Sequence, residues 1–126
     1  MTDNLLLKKI QQGDVQANVL ISACPSRKVL EHLTSRWGVL VMLVLKDKTF
    51  RFSEIRRAID GISERMLTQT LQNLEQDGMI IRTSYHTVPP HVDYRLTTHG
   101  RQASAKIADL VDWLEHNLGE ILAGKA

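Results

Sequence analysis

Arg51 to Leu96 reads RFSEIRRAIDGISERMLTQTLQNLEQDGMIIRTSYHTVPPHVDYRL, and this stretch decides the fold. It divides into two helical patterns joined by a tight turn, then two strand patterns separated by a proline turn. Phe52, Ile55 and Ile59 space the apolar face of a short first helix, and Asp60-Gly61-Ile62 is the turn. The limits of the second helix are well marked. Ser63 is a good N-cap, Glu64 suits the positive end of the helix dipole, and Gly78 can close the helix in the left-handed conformation. Ile80 to His86 and Val92 to Leu96 are rich in β-branched and aromatic residues. Val88-Pro89-Pro90-His91 interrupts them where neither proline need donate a ladder bond. Helix, turn, helix and hairpin in that order predict a mainly α fold with a small β-hairpin wing (α+β), a winged helix-turn-helix.

The composition of the second helix points to its ligand. Leu67, Leu71 and Leu74 recur at spacings of four and three, which puts them on one stripe facing a core. Arg65, Gln69, Gln72 and Gln76 fall on the opposite stripe, flanked by Thr68 and Asn73. An ordinary solvent-facing helix would mix Glu and Lys there at i, i+4 spacing, whereas this face carries amides, a hydroxyl and one guanidinium. Such groups suit base edges, since Gln pairs bidentately with adenine and Arg with guanine in a major groove wide enough for a helix. The candidate reading residues are Ser63, Arg65, Thr68, Gln69, Gln72 and Asn73. From the wing and its approaches, Arg51, Arg82, His86, His91 and Arg95 are candidates for phosphate or minor-groove contact. Exposed positive side chains on an edge hairpin also serve simply to prevent strand-to-strand association.

Cys24-Pro25-Ser26, Trp37, Arg51-Phe52-Ser53-Glu54, Ile62-Ser63, Met66-Leu67, Leu74-Glu75-Gln76-Asp77-Gly78, Val88-Pro89-Pro90 with Val92-Asp93-Tyr94, Leu96-Thr97, Gly100 and Trp113 stand in a telling order. Together they resemble the HxlR-type bacterial transcriptional regulators, relatives of the MarR group, over about Cys24 to Trp113. The resemblance implies a winged-helix fold, a homodimer built from terminal helices, and binding to double-stranded operator DNA. Two departures are minor. Ser35-Arg36-Trp37 stands where the family often has Gly-Lys-Trp, and Asp93 where Glu is commoner.

The rest of the chain fits one compact domain with helical extensions. Its 126 residues and 43% hydrophobic content support only a modest core, which a dimer would enlarge. The expected organisation is an N-terminal helical dimerisation arm over 1–23, the winged helix-turn-helix over 24–97, and a C-terminal dimerisation helix over 98–126. Asn4 to Ile21 has apolar residues around Gly13-Asp14 and reads as one interrupted helix or two short ones. Arg27 to Leu33 is amphipathic, and Val39 to Leu45 is apolar almost all round, as a buried central helix would be. Trp37 reads as a core residue. Thr97 can cap a last helix whose apolar positions Ile107, Leu110, Val111, Leu114, Leu118 and Ile121 run three or four apart. That stripe is too long for one small domain to cover. A two-fold mate would cover it and present two reading helices to a pseudo-palindromic operator, with half-sites about one helical turn, ~34 Å, apart.

Charge and targeting signals add little. A net charge of +2 is a small excess for a nucleic-acid binder, but the acidic part is the C-terminal segment, with Asp109, Asp112, Glu115 and Glu120 against Lys106 and Lys125. No N-terminal signal pattern precedes the short Leu5-Leu6-Leu7 run, and Gly38 to Leu45 is far too short to span a membrane, so a cytoplasmic location is expected. One cysteine excludes an intramolecular disulfide.

Cys24 is the one residue with potential chemistry. Pro25 suits the first helical position, so Cys24 would sit at an N-cap beside unpaired N–H groups, with Arg27 and Lys28 in the next turn; each favours thiolate. Some HxlR-type regulators resemble this arrangement and sense oxidants or electrophiles through that cysteine. The other reading is a small, half-buried packing residue kept reduced. A small-molecule effector in a dimer groove is a further option, although the apolar residues there are those needed for packing.

Two alternatives to a DNA-binding regulator remain. A winged helix can meet another protein through its Gln-rich face, with no DNA sequence specificity. A cysteine-dependent enzyme would need a base near Cys24, and no His-Glu-x-x-His, paired cysteine or Gly-rich phosphate loop accompanies the five histidines. No catalytic residue, metal site or cofactor is implied. Repression is the expected sign of regulation, because a small dimer with no activation domain acts most simply by blocking polymerase.

Overall fold

In a computed structural model that describes residues 2–124, six helices surround a small antiparallel sheet. The chain runs α1 (Thr2–Gln11), α2 (Pro25–Thr34), α3 (Arg36–Val44), β1 (Phe50–Arg51), α4 (Phe52–Ala58), α5 (Glu64–Gln76), β2 (Ile80–Tyr85), β3 (His91–Leu96) and α6 (Thr98–Ala123). α4, α5 and the β2–β3 hairpin are the predicted helix-turn-helix and wing. β1, only two residues long and so without a strand pattern of its own in the sequence, pairs with β3, and the sheet order is β1-β3-β2.

The core forms where the predicted apolar stripes converge. Leu67, Leu71 and Leu74 of α5 are buried with Val41, Met42 and Leu45 of the α3 segment, Ile55 and Ile59 of the α4 segment, Ile62, and Ile80, Tyr94 and Leu96 of the sheet. Trp37 packs against this cluster, as a core residue should. α3 lies centrally and contacts α2, α4, α5 and α6. Ser104 of α6 is fully buried and donates its hydroxyl to the Met42 carbonyl at 2.8 Å, fastening α6 to α3 where a hydroxyl without a partner would be costly.

The N-terminal segment departs from expectation. α1 ends at Gln11, and residues 12–23 form turns and irregular chain in place of a second helix or a continuation of the first. The Asp14 N–H reaches back to the Lys9 carbonyl at 2.9 Å and the Gly13 N–H to Ile10, which terminates the helix. Further on, Arg27 donates Nε–H to the Val19 carbonyl and an Nη2 hydrogen to the Leu20 carbonyl, both at 2.9 Å, so the loop is bound to the start of α2. Leu20 and Ile21 are left exposed.

At the other end, Thr97 caps α6 by accepting the Gly100 N–H at 2.9 Å. Beyond Ala108 the helix leaves its apolar side uncovered: Leu110 is 64% and Trp113 57% exposed, and Leu114, Leu118 and Leu122 are exposed too. None of the helices is long and apolar enough to cross a membrane among the described residues.

Candidate nucleic-acid interface

α5 is built to show one face. Ser63 Oγ accepts the Met66 N–H at 3.1 Å, which satisfies one of the free amides at the helix start. Its hydroxyl hydrogen is not used by that bond and remains able to donate outward. With Leu67, Thr70, Leu71 and Leu74 buried, Arg65, Thr68, Gln69 and Gln72 are exposed together on the far side, and Asn73 is half-buried at its edge. Gln69 donates Nε2–H to Asn73 Oδ1 at 3.1 Å, and the Thr68 hydroxyl donates to the Glu64 carbonyl at 2.9 Å. The amides are therefore aligned along the face before any ligand arrives. α4 adds Arg56, whose Nη1 lies 3.7 Å from Glu64 Oε2 in an exposed pair of small energetic worth.

Strand pairing sorts the wing candidates into two groups. Residues opposite each other in an antiparallel pair share a face, and successive residues alternate. Arg82 stands opposite Tyr94, and Phe50 pairs with Tyr94 from the other side, so Arg82 belongs to the face turned toward α5. Arg82, Thr68, Gln72, Glu75, Leu71 and Tyr94 line a groove of about 400 Å³ between reading helix and wing. Arg95 stands opposite Ile81 and Arg51 opposite Asp93, which puts both on the other face. There Arg95 lines a separate pocket with Lys46, Lys48 and Arg101. His91 stacks on Tyr85 with ring centroids 4.4 Å apart and holds Nε2 3.9 Å from Asp93 Oδ1, while His86 is exposed just past the end of β2.

Two further candidates appear only in the structure. Met66 is exposed beside the polar face, and its thioether end could meet a thymine methyl. Glu75 faces the groove that holds Arg82, where it would accept from cytosine or repel phosphate. For Met66 the signal was available, since it falls one step off the buried stripe. For Glu75 it was not, because only the wing's position gives it a partner.

Cys24 occupies the N-cap of α2 with Pro25 at the first helical position, as expected, but its surroundings differ. It is 4% exposed, so it is buried and not half-buried. Its Sγ lies 3.0 Å from Ser26 Oγ and accepts the Asn18 N–H at 3.3 Å. The Ser26 hydroxyl, then the backbone amides of Asn18 and Ser26, hold the thiol below its ordinary range, against the opposing effect of burial. Arg27, expected to favour thiolate, is turned to the carbonyls of Val19 and Leu20 instead. A cavity of about 360 Å³ lined by Ser22, Ala23, Pro25, Arg27, Lys28 and Glu31 opens onto the cysteine. Among the described residues, no group of three His, Cys, Asp or Glu side chains is placed to hold a metal ion.

A capped helix with an amide-rich face, a supporting helix and a flanking wing form the geometry of a helix-turn-helix DNA reader. Known proteins agree. The chain is 56% identical over 123 residues to the HTH-type transcriptional regulator YtfH of Escherichia coli (strain K12), covering 98% of this chain and 94% of that protein. Its structure is similar to that of a ytfH transcriptional regulator from Salmonella typhimurium, with a TM-score of 0.82 and 55% identity, over 87% of this chain and 98% of that one. It is also similar to the redox regulator HypR in its reduced form, with a TM-score of 0.72 and 34% identity, over 79% of this chain and 98% of that one. These relatives are regulators, not enzymes. The profile of the HxlR-like helix-turn-helix family matches residues 32–121, and the chain belongs to that family of DNA-binding transcriptional regulators.

Proposed function

We propose that this regulator binds a pseudo-palindromic operator as a homodimer and represses transcription, with α5 in the major groove and the wing beside it. The observation that carries this reading is the exposed face of Arg65, Thr68, Gln69 and Gln72 on a helix capped at Ser63, with Arg82 next to it across the groove. The uncovered apolar side of α6 supports the dimer, since a monomer seldom leaves so continuous an apolar stripe in water. In this reading the N-terminal arm 1–23 and the helix 98–126 dimerise, and 24–97 reads DNA.

Cys24 makes the regulator responsive to oxidants or electrophiles. Its lowered thiol range raises the thiolate fraction at neutral pH, and the adjoining cavity admits a small reagent to an otherwise buried sulfur. That the structural neighbour HypR is a redox regulator supports this role. With one cysteine per chain, the second thiol of any disulfide comes from the partner copy or from a small thiol. When diamide is the oxidant, two thiols lose two electrons and two protons to its N=N bond, giving one disulfide and the hydrazine.

Selection of sites from a random duplex pool tests the reading. An inverted repeat should emerge, and log affinity for it should fall with log salt at a slope of about −0.9 per phosphate neutralised. Diamide should change that affinity in the parent protein and leave Cys24→Ser unaffected. Absence of an enriched repeat at low salt would reject operator binding, and an equal diamide response in Cys24→Ser would reject the sensing role.

A further inference from the structure

Asp77, Gly78 and Met79 join the reading helix to the wing, and side chains from two other helices grip them. His32, in the last turn of α2, holds Nδ1 2.5 Å from Asp77 Oδ2, with the two side chains only 15% and 11% exposed. Thr97, the cap of α6, donates its hydroxyl to the Gly78 carbonyl at 2.6 Å and its N–H to the Met79 carbonyl at 3.0 Å. Gly78 has φ +76°, so the chain turns sharply there from helix to strand.

Of these contacts, the one between His32 and Asp77 is the least explained by local folding. Asp77 is the C-cap of α5, where a carboxylate meets the negative end of the helix dipole and is unfavourable by itself. A sheltered carboxylate oxygen also loses water and needs a donor. His32 supplies one, and since a carboxylate only accepts, Nδ1 carries the hydrogen. The histidine in turn has a fixed seat. Ser35 Oγ donates to the His32 carbonyl at 2.9 Å and accepts the Gly38 N–H at 3.1 Å, which ties it to the corner between α2 and α3. α2 thus carries Cys24 at one end and a grip on the reading head at the other.

We propose that the His32–Asp77 pair is a positioning contact that sets the orientation of α5 and the wing relative to α2, and so determines which half-site spacing the dimer accepts. The proposal rests on the operator reading above and concerns residues that touch no base. Two reading heads on one duplex must match its helical repeat, so a small rotation of each head about its attachment changes the preferred spacing.

The test titrates wild-type protein, Asp77→Ala, His32→Phe and Asp77→Asn against duplexes with the selected half-sites at spacings varied by single base pairs, and against non-operator duplex at the same salt. Wild-type protein should favour one spacing. Asp77→Ala and His32→Phe should lose about tenfold there and flatten the spacing profile, in keeping with loss of a charge-assisted hydrogen bond, while non-operator affinity stays within about twofold. Asp77→Asn, which still offers an oxygen to Nδ1–H, should restore the profile. If Asp77→Ala does not fold, the contrast between His32→Phe and Asp77→Asn carries the test. A lower melting temperature with an unchanged spacing profile and an unchanged operator to non-operator ratio would overturn the proposal, because the pair then only stabilises. If wild-type protein prefers no sequence at all, operator reading fails, and the positioning role with it.

Discussion

A single hydroxyl governs the chemistry of the one thiol. Because the Ser26 side chain is the largest cause of the lowered Cys24 range, Ser26→Ala should raise it. Alkylation by a small iodoacetamide-type reagent, followed against pH, should then reach half its maximal rate at higher pH than in wild-type protein, and run slower at neutral pH because less thiolate is present. Two glycines of α6 make a second residue-level contrast. A Cβ on Gly100 would come within 1.9 Å of the Met79 carbonyl oxygen, whereas Gly119 has nothing within 4 Å. Gly100→Ala should destabilise the fold by about 1–3 kcal/mol through forced displacement of α6 from the wing. Gly119→Ala, on the polar stripe with Asp112 and Glu115, should stabilise it by up to ~1 kcal/mol. Denaturant unfolding of both variants measures the two signs. The N-cap position of Cys24 was legible from Pro25, but its true partners were not. Asn18 reaches the sulfur only because the loop folds back, and spacing does not say where a long side chain such as Arg27 will point.

At the scale of elements, the helices with both a cap and an apolar stripe were the readable ones. Ser63 and Gly78 bracket α5, and Thr97 opens α6, within a residue of where the sequence put them. Residues 12–23 misled because Val15, Val19 and Leu20 have helical spacing without a cap, and their apolar side finds nothing in the domain to cover it. The wing was legible as a hairpin, yet the sequence alone could not say which of its cations face α5. That depends on strand register, and a slip of one residue exchanges the faces. The register found here separates Arg82 from Arg95 and predicts different variants. Arg82→Ala should weaken operator binding and reduce the magnitude of the salt slope by about 1 if it holds a phosphate. Arg95→Ala, on the far face, should leave both within error. Titration at three salt concentrations separates them.

At the scale of the molecule, the distribution of burial divides α6 into two lengths. Up to Ala108 it is part of the domain, held by Ser104, Gly100 and Ala108; beyond that, Leu110, Trp113, Leu114, Leu118 and Leu122 are uncovered. If those residues form the two-fold contact, Leu114→Glu with Leu118→Glu should give a monomer by sedimentation. That monomer should keep its helical content and bind a single half-site, with the gain from the second half-site lost. A monomer with undiminished affinity for the full repeat would count against paired reading heads.

The buried bond from Ser104 to the Met42 carbonyl would have a mechanical consequence for such a dimer. It acts as a fulcrum placed near one end of a long rod. From Ser104 to Ala123 the helix extends about 28 Å, so a tilt of only ~5° about the bond sweeps the far end through roughly 2.5 Å. In the opposite direction, a partner copy clasping the long arm would exert several-fold leverage on the short one, which begins at Thr97 against the root of the wing.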